Sequence, residues 1–132
     1  MILVDTNIFL EFLLGQEHSD ECEKLLARLS QGEAEGVVTR FSLHSIEAVY
    51  RSDLLPVFLG NVDHSLGLTV YDTDTVEEVQ VADVAKKTGL DFDDAMQYYV
   101  ARKLRAECIV TFDKHFSGLD VRSAEPNDLL GQ

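Results

Sequence analysis

The chain has 132 residues, 45% of them hydrophobic, and a formal net charge of −13. That size suits one domain, residues 1–132, around one core; no apolar run is long enough to span a membrane and no basic, apolar leader opens the chain, so a cytoplasmic protein is expected. The acid excess excludes a basic protein that coats nucleic acid, but not a nuclease, in which a metal and a few local arginines bind phosphate.

Three readings of the acid excess stand side by side: solubility, life in a salt-rich cytoplasm, and docking of a basic partner segment. Cys22 and Cys108 are the only two thiols. Each lies in an apolar pattern, so both read as reduced core residues.

Ile2-Leu3-Val4 predicts a short buried strand, and Ile8, Phe9, Phe12 and Leu13 then recur at helical spacing. Cys22, Leu25, Leu26 and Leu29 mark a second helix that ends near Gly32. Gly36-Val37-Val38-Thr39 predicts a second strand, followed by a helix carrying Leu43, Ile46 and Tyr50, and a short helix from Leu54 to Leu59. Leu68 to Tyr71 predicts a third strand. Thr75 with Glu78 reads as a capping box for a helix through Val76, Val79 and Ala82, stopped by Lys86, Lys87 and Gly89. Phe92, Ala95, Met96, Tyr99, Val100 and Leu104 give the clearest helical stripe, with basic residues at its end. Cys108 to Thr111 predicts a fourth strand, Leu119-Asp120-Val121 a weak fifth, and the chain after Glu125 a helical turn.

Strands that alternate with helices and read as continuous apolar runs mean a parallel sheet with helices on both faces. Ligands of such sheets bind at the carboxyl ends of the strands. Asp5 and Asp113 fall just past strand ends. The helix from Phe92 leads into strand four through a short turn, so its start lies one helix length back, roughly 20 Å, at the same edge. Asp94 therefore joins that rim. Glu47 reaches it only if the helix after strand two starts over the sheet edge.

Each acid also has an ordinary structural role open to it. Asp5 can cap the first helix, and one of Asp91, Asp93 and Asp94 can cap the one near Phe92, with Asp91 or Asp93 favoured because Asp94 directly precedes the buried-face Ala95. Asp113 can open a turn, and Glu47 can be a solvated helix residue. Their joint placement favours one site. Converging carboxylates repel each other unless a cation joins them, which points to a divalent metal and phosphate chemistry. The histidines, His18, His44, His64 and His115, lack paired ligand spacing and argue against zinc. For His44 and His115, near Glu47 and Asp113, a surface role is the expectation.

Taken together, Asp5-Thr6-Asn7 after a short strand, a mid-chain Glu47, Asp93-Asp94-Ala95 opening a helix, and Ile109-Val110-Thr111-Phe112-Asp113 with Phe116 resemble the PIN domain. The chain looks like the toxin subfamily of type II toxin–antitoxin systems, the VapC-like ribonucleases. The resemblance implies a three-layer α/β/α sandwich with a mainly parallel sheet of four to five strands. It implies Mg²⁺- or Mn²⁺-dependent cleavage of RNA by a homodimer restrained by a small antitoxin. Carried over by position, Asp5 and Asp94 become principal metal ligands, and Glu47 and Asp113 complete the catalytic quartet. Thr6, Asn7 and Thr111 become supporting polar residues. Arg40, Arg51 and Lys114 are candidate RNA contacts. Other readings are a PIN-type nuclease of RNA processing or surveillance, an idle PIN-like binding module, and a phosphatase of the haloacid dehalogenase class. The last needs a second aspartate where Asn7 stands.

Overall fold

The computed structural model describes residues 1–131. Five parallel strands form one sheet: β1 (Ile2–Val4), β2 (Gly36–Thr39), β3 (Leu68–Tyr71), β4 (Ile109–Val110) and β5 (Ser123–Ala124). Their order is β3-β2-β1-β4-β5. Helices α1 (Thr6–Leu13), α2 (Ser19–Gln31), α3 (Arg40–Val49), α4 (Leu55–His64), α5 (Thr75–Thr88), α6 (Phe92–Lys103) and α7 (Pro126–Leu130) cover its faces.

Side chains alternate across a strand, and here the alternation divides the core in two. Ile2, Val4, Val38 and Val110 face a layer built from α1, α2, α3, α4 and α7. Leu3, Val37 and Ile109 face a thinner layer of α5 and α6. This is the expected three-layer α/β/α sandwich. Cys22 and Cys108 are buried free thiols within the first layer, as their apolar setting predicts.

Four local expectations are corrected. The fifth strand is Ser123–Ala124, not Leu119–Val121. Leu119 and Val121 instead pack on the second core cluster, and β5 is so short that no alternating pattern can announce it. The capping box of α5 is Asp74 with Glu77, one residue before Thr75 and Glu78: Asp74 accepts from the Glu77 N–H at 2.8 Å. Val76 and Val79 are largely exposed, and α5 buries Val81 with Val84 and Ala85 beside it. Helix α4 runs on to His64, beyond Leu59, and buries Phe58 and Val62.

One glycine is fixed by close approach. A Cβ on Gly67 would lie 2.0 Å from the Ala34 carbonyl oxygen and 2.8 Å from that of Leu29. Both are backbone atoms, tied in place where the Gly67 N–H donates to Leu29 at 2.9 Å and Gly36 donates to Gly67 at 2.8 Å. Gly67→Ala is expected to cost about 2–4 kcal/mol by overpacking. Thermal unfolding checks this: a Tm within about 2 °C of wild type would contradict it.

Sheet order also locates the site. From β1 the chain steps outward to β2 and β3, then crosses back to β4 and β5 on the other side. The carboxyl ends of β1 and β4 therefore flank the switch point, where such sheets open a crevice.

A carboxylate rim at the switch point

Asp5 directly follows β1. It is the N-cap of α1, with extended backbone and a side chain accepting from the Thr6 N–H at 2.8 Å. The cap and site readings are thus not rivals. Its other oxygen accepts from the Thr111 hydroxyl at 2.8 Å and from the Asn7 amide at 3.5 Å. Asn7 also donates to Thr111 at 3.1 Å, and Thr111 accepts from the Asp113 N–H at 3.0 Å. Asn7 and Thr111 therefore lock the loops after β1 and β4 together. Thr6 differs: its hydroxyl turns away and donates to Ser42 at 2.8 Å.

Asp5 is only 4% exposed. Burial drives its pKa up from 3.8 to about 7, against the bonds from Thr111 and Thr6, and the nearby Asp93 and Asp113 charges add to the rise.

Helix α6 brings the next acids. Asp91 caps it by accepting from the Asp94 N–H at 2.9 Å, which leaves the Asp94 carboxylate for other work. Asp94 is buried, and its Oδ2 lies 2.7 Å from His115 Nδ1. Asp113 Oδ2 lies 3.9 Å from the same nitrogen. Ligand atoms of Asp94, Asp113 and His115 all fall within 4.8 Å of one another. Burial raises the Asp94 pKa while the His115 bond opposes the rise; that bond and the two carboxylates raise the pKa of His115. His115 is exposed, as expected, and is at the same time a contact of the rim carboxylates.

Asp93, read from the sequence as a cap candidate, is not the cap and lies near the rim instead. Burial raises its pKa, Gln97 opposes this by donating at 3.3 Å, and Asp91 and Asp113 repel it. Gln97 lies within a fully buried polar knot: its amide and the Thr6 and Thr39 hydroxyls all reach Ser42. The available signal was polar residues four apart on an otherwise buried helix.

Glu47 stands apart. Helix α3 does begin at the sheet edge, capped by Thr39. Glu47 is half-buried and, like Asp5, is outside the Asp94–Asp113–His115 cluster. Of the cations, Arg40 is engaged by Asp72 at 2.8 Å, and Arg51 and Lys114 are exposed.

The donor set is carboxylate oxygen with one imidazole nitrogen, which suits a divalent cation of the Mg²⁺ and Mn²⁺ type. Burial and neighbouring carboxylates hold Asp5, Asp93 and Asp94 above their ordinary pKa, the electrostatic mark of a site short of positive charge. Among the described residues, no helix is long and apolar enough to cross a membrane.

No curated protein sequence gives a significant match. Solved structures do match the fold. A Mycobacterium tuberculosis VapC20, described as a sarcin–ricin loop cleaving toxin, aligns with a TM-score of 0.77 at 18% identity, over 96% of this chain and 100% of that one. A toxin–antitoxin complex from Klebsiella pneumoniae gives 0.66 at 15% identity, over 96% and 98%. VapBC2 from Rickettsia felis, bound to a DNA fragment from its promoter, gives 0.65 at 18%, over 95% and 98%. The model of the PIN domain matches residues 1–115, from β1 through the loop that carries Asp113 and His115, and this chain belongs to that family.

Proposed function

We propose that this chain is a metal-dependent endoribonuclease, the toxin of a type II toxin–antitoxin pair, which hydrolyses RNA phosphodiester bonds. The observation that carries the reading is the convergence of Asp94, Asp113 and His115, with the buried Asp5 outside that cluster but close enough to feel the Asp113 charge. The similarity to a toxin described as cleaving the sarcin–ricin loop supports RNA as substrate. The toxin–antitoxin complexes among the similar structures support a small antitoxin as partner. A homodimer in the cytoplasm, a single domain over 1–132, and Mg²⁺ or Mn²⁺ as cofactor complete the proposal.

In this reading Asp5, Asp94 and Asp113 hold the cation and Glu47 closes the pocket from α3. When bound, a divalent cation there lowers the pKa of water and offsets charge on the phosphate. The chain's own part is positioning. Thr111 and Asn7 hold one Asp5 oxygen and the Thr6 N–H holds the other, so the carboxylate cannot rotate away. A carboxylate accepts about four contacts, so these bonds leave room for a cation. Arg40, Arg51 and Lys114 are the cations available to phosphate. Arg40 must exchange Asp72 for RNA, a weak exposed pair to break.

The test is cleavage of a panel of structured RNAs with Mg²⁺ or Mn²⁺. Cleavage should appear with either ion and stop in excess chelator. Full activity in chelator, or none with any divalent ion, would remove the reading.

A further inference from the structure

We propose that His115 is a nitrogen ligand of the rim cation and makes the site prefer a first-row transition ion such as Mn²⁺ to Mg²⁺. This rests on the metal-dependent reading above and deepens it.

The geometry is that of a ligand shell. His115 Nδ1 lies 2.7 Å from Asp94 Oδ2 and 3.9 Å from Asp113 Oδ2. The three donor atoms all lie within 4.8 Å of one another. Around a six-coordinate ion with bonds of about 2.1 Å, adjacent donors stand about 3 Å apart and opposite ones about 4.2 Å. The cluster therefore needs only small side-chain shifts, with the ion taking the place of the proton that His115 now shares with Asp94.

The backbone holds the ring there. Phe116, next in sequence, is buried in the second core cluster. The Asp113 N–H is tied to Thr111, and the turn closes through Ser117 N–H to Lys114 at 3.2 Å and Leu119 N–H to Phe116 at 3.2 Å. An exposed histidine would ordinarily wander in solvent. Here the ring is fixed from both sides, with the Asp94 face of an open groove lined by Thr88, Gly89, Leu90 and Asp91 beneath it. Among the described histidines it alone meets two acids of the rim: His18 pairs with Glu21, and His64 bonds the Gly60 carbonyl.

The chemistry sets the preference. Mg²⁺ takes hard oxygen ligands and keeps its waters, so an imidazole adds little for it. Affinity for mixed nitrogen and oxygen sites rises along the first transition row, and imidazole suits those ions. Removing the ring should therefore cost Mn²⁺ much more than Mg²⁺.

Two measurements decide it on metal-stripped protein. Titration calorimetry should show Mn²⁺ binding wild type at least tenfold tighter than Mg²⁺. In His115→Ala the Mn²⁺ affinity should fall tenfold or more, and the Mg²⁺ affinity by less than threefold. Pulsed electron paramagnetic resonance of the Mn²⁺-loaded protein should show a ¹⁴N coupling that vanishes in the variant. His115→Gln offers an oxygen in the same place and guards against a folding defect: it should keep Mg²⁺ affinity and lose the ¹⁴N coupling. Equal losses for both ions, or no ¹⁴N coupling in wild type, would overturn the proposal and leave His115 as a hydrogen-bond partner of Asp94. Wild type that binds neither ion would overturn this proposal together with the metal-dependent reading; Mn²⁺ binding without nitrogen overturns this one alone.

Discussion

Asp94→Asn should lower the single-turnover rate of metal-dependent RNA cleavage by roughly 10³-fold and leave the fold intact. Asparagine keeps the shape of the side chain and removes its charge. The cap of α6 survives, because the bond to Asp91 uses the backbone N–H at position 94. The buried neighbours survive too, since an amide fills the space of a carboxylate. Loss of one negative charge also relieves repulsion from Asp91 and Asp93, both of which press on the Asp94 carboxyl. A merely structural Asp94 would behave in the opposite way, with a lower Tm and cleavage in proportion to the folded fraction. The decisive pair of measurements is therefore Tm and rate on the same preparation. A variant that unfolds normally yet cleaves within tenfold of wild type would take Asp94 out of the metal site.

Most of this site was legible in the sequence because the fold class alone places strand ends. Asp5 and Asp113 had to lie at the carboxyl edge once β1 and β4 were parallel, and the short turn before β4 carried the start of α6 to the same edge. β2 and β3 run over the expected residues, as continuous apolar runs bounded by glycine, helix starts and a turn. What the sequence concealed depended on single bonds and local register. The sequence favours Asp91 or Asp93 over Asp94 as the cap of α6, but the choice between those two turns on one N–H at 2.9 Å, which goes to Asp91 and sends Asp93 toward Gln97. His115 met Asp94 because the turn after Asp113 is anchored by buried Phe116, a feature of tertiary packing that no spacing rule expresses. The shift of β5 has the same origin: a strand of two residues is defined by its neighbour's hydrogen bonds, here Ile109 to Arg122 and Thr111 to Ala124, more than by its own pattern. Glu47 remains the acid whose role rests most on the family's pattern and least on contacts in this chain.

Asp5→Asn should make the metal-free protein more stable at pH 8 while abolishing its cleavage of RNA. The sign follows from proton binding. The Asp5 carboxyl has its pKa raised from 3.8 to about 7 in the folded chain, burial being the largest cause. Between about pH 4 and pH 7 the folded state thus binds more protons than the unfolded one, and stability falls as pH rises. Above pH 7 the whole cost of a buried charge is present. A rise of that size corresponds to a ceiling of roughly 4 kcal/mol. The expected gain in the variant is about 2 kcal/mol, because the new amide must face the Thr111 hydroxyl that now donates to Asp5. Near pH 4, where only the amide mismatch acts, the variant should melt several degrees lower than wild type; by pH 8 it should melt several degrees higher, at about 4 °C per kcal/mol. His115, its pKa raised by Asp94, tilts the profile the same way, and the difference between the two proteins cancels its share. A divalent ion should raise the Tm of wild type at pH 8 and barely move that of the variant, because bound cation replaces the missing positive charge. Parallel Tm profiles from pH 4 to pH 8 would mean that Asp5 carries no such strain. The expected divergence would instead make Asp5 a residue kept for chemistry at the expense of stability, as active-site carboxylates held apart from their counter-ion must be.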